Sequence, residues 1–212
     1  MSEQTVSIPA SQTLAGDTQA LEARVQQQGT TGLLMCHPHP LFDGTMNNKV
    51  VTTAIRTATR LGLSTLRFNF RGVGQSPGQH DHGQGEVADV LAALHYAREQ
   101  LGWQRIFLAG FSFGAGMACL ASLQQPEWVS GLFLIAPAVH HFDAPNSLPY
   151  QFETHVYMGN DDEVVPFEEV DDWVARVVPQ PHWQVFEAGS HFFHGRLTDL
   201  QASLKQDIEA LL

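Results

Sequence analysis

The sequence predicts an α/β fold: a mostly parallel central sheet of about seven or eight strands with helices on both faces. Three observations carry that expectation. Short β-rich runs alternate with helix-length amphipathic ones, several strand runs are apolar at consecutive positions, and glycines or prolines stand where the chain must turn. At 212 residues, 43% hydrophobic and 16% charged, the chain suits one domain over 1–212 and has enough apolar surface for one core. No low-complexity tract is present, so disorder is excluded as the main state.

The elements follow in order. Residues 1–29 hold two alternating runs, Thr5 to Pro9 and Leu21 to Gln26, which read as antiparallel edge strands. Thr31 to Cys36 is a buried strand that must end at His37-Pro38-His39-Pro40, where two prolines remove backbone donors. From Asn47 to Leu61 the apolar residues keep helical spacing, and Gly62 is placed to end that helix. Ser64 to Phe70 is the next strand, followed by the glycine-rich turn Arg71 to Gly78. Val87, Val90, Leu91, Leu94 and Leu101 mark a second helix ending at Gly102.

Arg105 to Phe111 reads as a strand, and the stretch after Ser112 is apolar on every side, so its helix must be buried. Val129 to Ala136, Thr154 to Gly159 and Trp183 to Glu187 are further strands. Val164 to Val177 and a C-terminal stretch with Leu197, Leu200, Leu204, Ile208 and Leu211 on one face are helices. Pro137 to Glu153 is left as a structureless connection, too short for a lid domain.

Charge and cysteine content exclude several function classes. Asp+Glu outnumber Lys+Arg by 22 to 11, so neither nucleic acid nor an anionic membrane is an expected partner. Cys36 and Cys119 are too few for a disulfide scaffold and sit in apolar surroundings, as packing residues do. The N-terminus lacks a basic stretch before an apolar run, and no 18 consecutive apolar residues occur, so a cytoplasmic location is expected. A small-molecule substrate is the expected partner; monomer and homodimer both stay open.

The chemistry gathers where strands end. Gly110-Phe111-Ser112-Phe113-Gly114 is a Gly-x-Ser-x-Gly turn between a strand and a buried helix, the setting of a nucleophile elbow. The glycines are needed because a serine on so sharp a turn leaves no room for neighbouring Cβ atoms. A serine hydroxyl is a poor nucleophile until a positioned base takes its proton, and that base needs an orienting carboxylate. Asp161 and Asp162 follow one strand, and His191 follows the last, so topology brings all of them to the same sheet edge as Ser112. Spacing alone leaves both aspartates open, and His194 is a rival to His191 as base.

With these segments in order, the chain resembles the α/β-hydrolase superfamily, and within it small lidless bacterial serine hydrolases. The resemblance runs from about Leu33 to the C-terminus. It rests on His37-Pro38-His39-Pro40-Leu41, Asn69 through Ser76, Gly110 through Gly114, Gly159 through Pro166, and Gly189 through Gly195. It implies Ser112 as nucleophile, His191 as base and, from the superfamily's Gly-x-x-Asp-x-Val-Val-Pro pattern, Asp162 as the acid. Oxyanion donors are expected from the backbone N–H of Phe113 and of Leu41, with His39 as the alternative because Pro38 and Pro40 carry none. Phe111, Phe42 and His194 are the expected substrate contacts.

The expected reaction is carboxylic ester cleavage through an acyl-enzyme, carboxylesterase-like, with thioesters, lactones and amides as neighbouring possibilities. No cofactor or metal is assigned. Two competing readings follow from the same residues. One is a non-catalytic binding or scaffold module on the same fold. The other is metal-assisted hydrolysis by pairs such as His37 with His39, His80 with His82, or His140 with His141. Arg71 is expected to tie its turn to backbone carbonyls.

Overall fold

The computed structural model describes residues 2–10 and 20–212. Its sheet has eight strands: β1 (Gln4–Pro9), β2 (Ala20–Gln26), β3 (Thr31–Cys36), β4 (Ser64–Phe68), β5 (Arg105–Phe111), β6 (Gly131–Ile135), β7 (Thr154–Gly159) and β8 (His182–Phe186). They lie in the order β1-β2-β4-β3-β5-β6-β7-β8. β1 and β2 pair antiparallel, β2 meets β4 antiparallel, and every later pairing is parallel. The expected edge strands are therefore present at one side; residue 1 and residues 11–19 of that region lie outside the described residues.

Among the described residues there are five α-helices: α1 (Lys49–Arg60), α2 (Gln84–Glu99), α3 (Phe113–Gln124), α4 (Phe167–Arg176) and α5 (Leu197–Ala210). The chain steps from β3 outward to β4 and then back across β3 to β5. Since parallel crossovers are right-handed, that reversal puts α1 and α2 on opposite faces. Accordingly α1 packs with α5, and α2 with α3. A reversal of this kind opens a crevice at the carboxyl ends of the strands, here between the loops after β3 and β5.

Local chemistry explains where elements stop. The Asn48 side chain caps α1 by accepting from Val50 N at 2.8 Å, and Gly62, at φ +79°, lets the chain leave it. β4 ends at Phe68, two residues earlier than its apolar run suggests: Asn69 N still reaches Glu22 O on β2, but the next amide, Phe70 N, is taken by the His37 ring. α4 begins at Phe167 rather than Val164, since Asp162 Oδ1 holds the amides of Val164 and Val165 in a turn and Pro166 follows. The stretch 137–153 is not bare: Val139–His141 forms a 3₁₀ turn and Ser147 bridges to Val178.

The core is continuous through β3, β5 and β6 and the inner faces of α1, α2 and α3. α3 is buried from Phe113 to Cys119, as its all-round apolar pattern demands. Cys36 and Cys119 are both buried and unpaired. Burial pushes the Cys119 thiol up to about 12 and that of Cys36 higher still, so both act as inert packing groups.

Candidate active site

Ser112 is the turn between β5 and α3, at φ 55° and ψ −118°, a backbone conformation that costs a non-glycine residue on the order of 1–3 kcal/mol. The flanking glycines make it possible. A Cβ on Gly110 would overlap the carbonyl of Gly114, and one on Gly114 would overlap the carbonyls of His37 and Cys36 at the end of β3. The elbow is thus wedged against the loop that follows β3. Ser112 N donates to Ile135 O at 2.8 Å, which locks the turn to β6.

His191 Nε2 lies 3.1 Å from Ser112 Oγ, and His191 Nδ1 lies 2.8 Å from Asp162 Oδ2. The three residues are 79 and 29 positions apart in sequence but form one buried line: the Asp162 side chain is fully buried and that of His191 is 3% exposed. With Asp162 ionised, its Oδ2 requires a proton on Nδ1, which leaves the Nε2 lone pair facing the serine hydroxyl. Asp162 Oδ1 is held in turn by Val164 N at 2.8 Å and Val165 N at 2.7 Å. The carboxylate therefore has few places to go.

Other predicted residues fall elsewhere. The Asp161 side chain is exposed, and its backbone N–H donates to Gly189 O. The His194 ring stands 6.0 Å from that of Phe192, its backbone N–H donates to Ser190 Oγ, and it makes no hydrogen bond to Ser112 or Asp162. Phe111 was expected to touch substrate, but it is fully buried with its ring 4.9 Å from that of His191; it is the floor beneath the imidazole. Its position inside β5, facing the core side of the elbow, is the physical reason. Phe42 is 78% exposed at the rim and lies against His39.

The loop after β3 differs from expectation in one detail. Leu41 N donates to His39 Nδ1 at 3.1 Å, so the amide preferred as second oxyanion donor is already engaged. The His39 amide has no acceptor among the described residues, and its ring packs 4.7 Å from the Phe113 ring. Phe113 N, the first in α3, has no intrahelical acceptor by position. Arg71 is bound not to backbone carbonyls but to the buried Asp89 of α2, Nη2 to Oδ1 at 2.8 Å and Nε to Oδ2 at 3.1 Å. Gly85 is required there because a Cβ would strike the guanidinium.

Two contributors had no sequence signal strong enough to single them out. Glu163 Oε2 accepts from His191 N at 3.0 Å and ties the histidine loop to the aspartate loop. His37 is buried with Nε2 accepting from Phe70 N at 3.0 Å, so its Nδ1, 2.6 Å from Pro38 O, carries the proton. Burial lowers it to about 4, which keeps it neutral and rules out the cationic form near neutral pH. Its partner in the suggested His37–His39 metal pair is turned to Leu41 instead. Beside the site, a groove of about 780 Å³ runs along α2 and α3, lined by His82, Met117, Leu120, His140, His141 and Phe142 but by none of the three aligned residues.

This geometry, a strained serine after a central parallel strand with a histidine and an aspartate from later strand ends, defines a class that comparison bears on directly. Residues 49–155 match the family described as alpha/beta hydrolase fold, and the chain belongs to that family. An α/β serine hydrolase homologue from Coxiella burnetii is similar over 98% of both chains, at 38% identity and a TM-score of 0.86. A serine hydrolase without lid from Xanthomonas campestris is 32% identical, with a TM-score of 0.89, over 99% of this chain and 95% of that one. An uncharacterized protein of Rickettsia prowazekii is 34% identical over 180 residues, 81% of this chain and 75% of its own length. Among the described residues no helix is long and apolar enough to cross a membrane.

Proposed function

We propose that the protein is a serine hydrolase that cleaves carboxylic esters of small, water-soluble substrates. The observation that carries this reading is the line Ser112 Oγ, His191 Nε2, His191 Nδ1, Asp162 Oδ2, at 3.1 Å and 2.8 Å. In this reading Ser112 Oγ attacks the acyl carbon while Nε2 takes its proton. The imidazolium, stabilised by Asp162, then protonates the departing alcohol. Water repeats the sequence on the acyl-enzyme: Nε2 removes its proton, the oxygen adds to the acyl carbon, and the proton returns to Oγ as the acid leaves.

The negative charge that forms on the carbonyl oxygen is assigned to the amides of Phe113 and His39. Phe113 opens α3, so the helix N-terminus adds its partial positive charge, and the His39 amide is free where that of Leu41 is not. Phe42, exposed at the rim, and His194 are the side chains that a substrate would meet. The net charge of −11 disfavours anionic substrates.

The decisive experiment is labelling with a fluorophosphonate, which reacts with an activated serine. The wild type should label and Ser112→Ala should not. Labelling that persists in Ser112→Ala overturns the nucleophile assignment, and a wild type that never labels favours a binding module on the same fold.

A further inference from the structure

At the opposite end of the sheet from Ser112, three residues converge that the hydrolytic reading does not use: Glu153, just before β7, His155 in β7, and His182, the first residue of β8. His155 and His182 are direct cross-strand partners in the parallel register. One donor atom from each of the three lies within 4.8 Å of the others. Glu153 Oε2 is 3.6 Å from His155 Nε2 and 3.3 Å from His182 Nε2. Those separations are close to the edge of a tetrahedron with metal–ligand bonds of about 2.0–2.2 Å, which is roughly 3.4 Å.

The state of His155 is what sets this cluster apart from a solvated ion pair. Its side chain is 4% exposed, yet neither ring nitrogen has a hydrogen-bond partner among the described residues. The ring is sandwiched between Phe133 at 5.1 Å and His182 at 4.5 Å. Nδ1 faces Asp207 Oδ2 at 3.5 Å, a carboxylate that also accepts from Tyr157 OH at 2.5 Å. Asp207 thus stands off Nδ1, while Glu153 stands off Nε2. A carboxylate behind a histidine in this way is the usual support of a metal ligand.

We propose that Glu153, His155 and His182 form a binding site for a divalent transition-metal ion of the zinc type, with Asp207 as the residue that orients His155. Two imidazoles and a carboxylate suit such an ion better than calcium or magnesium, which take oxygen ligands. The rings of His155 and His182 are parallel, so one of them must turn before both lone pairs meet one ion. His182 is the one with room to do so: its side chain is 63% exposed, whereas that of His155 is 4% exposed. A bound ion would clip the edge strand β8 to β7 and to the end of the 137–153 connection. It would sit ~16 Å from the triad rim, the length of β7.

The test is calorimetric titration of the whole, chelator-treated protein with Zn²⁺ near neutral pH, paired with thermal unfolding. One equivalent should bind and raise the unfolding midpoint. His182→Ala and Glu153→Gln, both at exposed positions, should each weaken binding at least ~10-fold and abolish the thermal shift. Asp207→Asn, which keeps an acceptor for Tyr157, should weaken it ~10- to 100-fold. The double variant His140→Ala/His141→Ala should bind as the wild type does. Absence of a saturable equivalent in the wild type, or binding that His182→Ala or Glu153→Gln leaves unchanged, overturns the site.

Discussion

Two buried histidines stand at the same rim and have been put to opposite uses. His37, at the end of β3, gives its acceptor nitrogen to the amide of Phe70 and faces a carbonyl with the other, so both of its partners are backbone groups that do not move protons. His191, after β8, has a hydroxyl on one nitrogen and a carboxylate on the other. The first ring fastens the loop after β3 to the loop after β4; the second is, in the proposed reading, the carrier of the serine proton. What separates them is the titratable character of their neighbours rather than depth, since both are nearly inaccessible.

That contrast is sharpest in turnover. His191→Gln is expected to lower kcat by on the order of 10⁶, as loss of the base does in an analogous triad, while leaving the fold intact. His37→Gln keeps an acceptor for Phe70 N and should change kcat by less than ~10-fold. Steady-state ester hydrolysis on both variants checks this pair, and equal losses would erase the distinction. Next in size is the acid. Asp162→Asn should cost about 10⁴ in kcat by presenting the imidazole in the wrong tautomer. Asp161→Asn, whose side chain is exposed one position earlier, should stay within ~2-fold. A larger loss in Asp161→Asn would show that the aspartate loop rearranges in solution.

The sequence carried one of these histidines clearly and the other poorly, for a reason that applies across the molecule. β5, β7 and the elbow at Ser112 were legible to the residue, because a buried parallel strand, a Gly-x-Ser-x-Gly turn and an all-apolar helix each leave a local pattern. The choice of Asp162 over Asp161 came from family resemblance, and the two backbone amides held by Oδ1 supply the physical ground for it. By contrast, Phe111 looked like a substrate contact because pattern cannot tell which side of an elbow faces the crevice. Leu41 looked like a donor because pattern cannot show that His39 has already claimed its amide. Glu163, His37 and the Glu153, His155, His182 group depend on pairings between distant strand ends, for which no spacing in the chain serves as a signal.

The smallest effect bears on stability. Folding lowers His37 from the ordinary imidazole value of 6.5 to about 4, because the buried ring has no room for a charge and a second proton would set one N–H against that of Phe70. The unfolded chain therefore binds a proton in the window between those two values that the folded chain refuses. Stability from this group is fully present above pH 6.5 and drains away as pH falls toward 4, a total of about 3 kcal/mol. Between pH 7 and pH 5 the share is roughly 2 kcal/mol. His39, His140 and His155 are lowered by burial as well and pull the same way, so the wild-type slope alone does not isolate His37. The difference between the wild type and His37→Gln does, since glutamine accepts from Phe70 N without titrating. Urea unfolding at the two pH values should find His37→Gln losing ~2 kcal/mol less than the wild type on acidification. Identical losses would mean that His37 accepts its proton without penalty, which a backbone-locked acceptor cannot do.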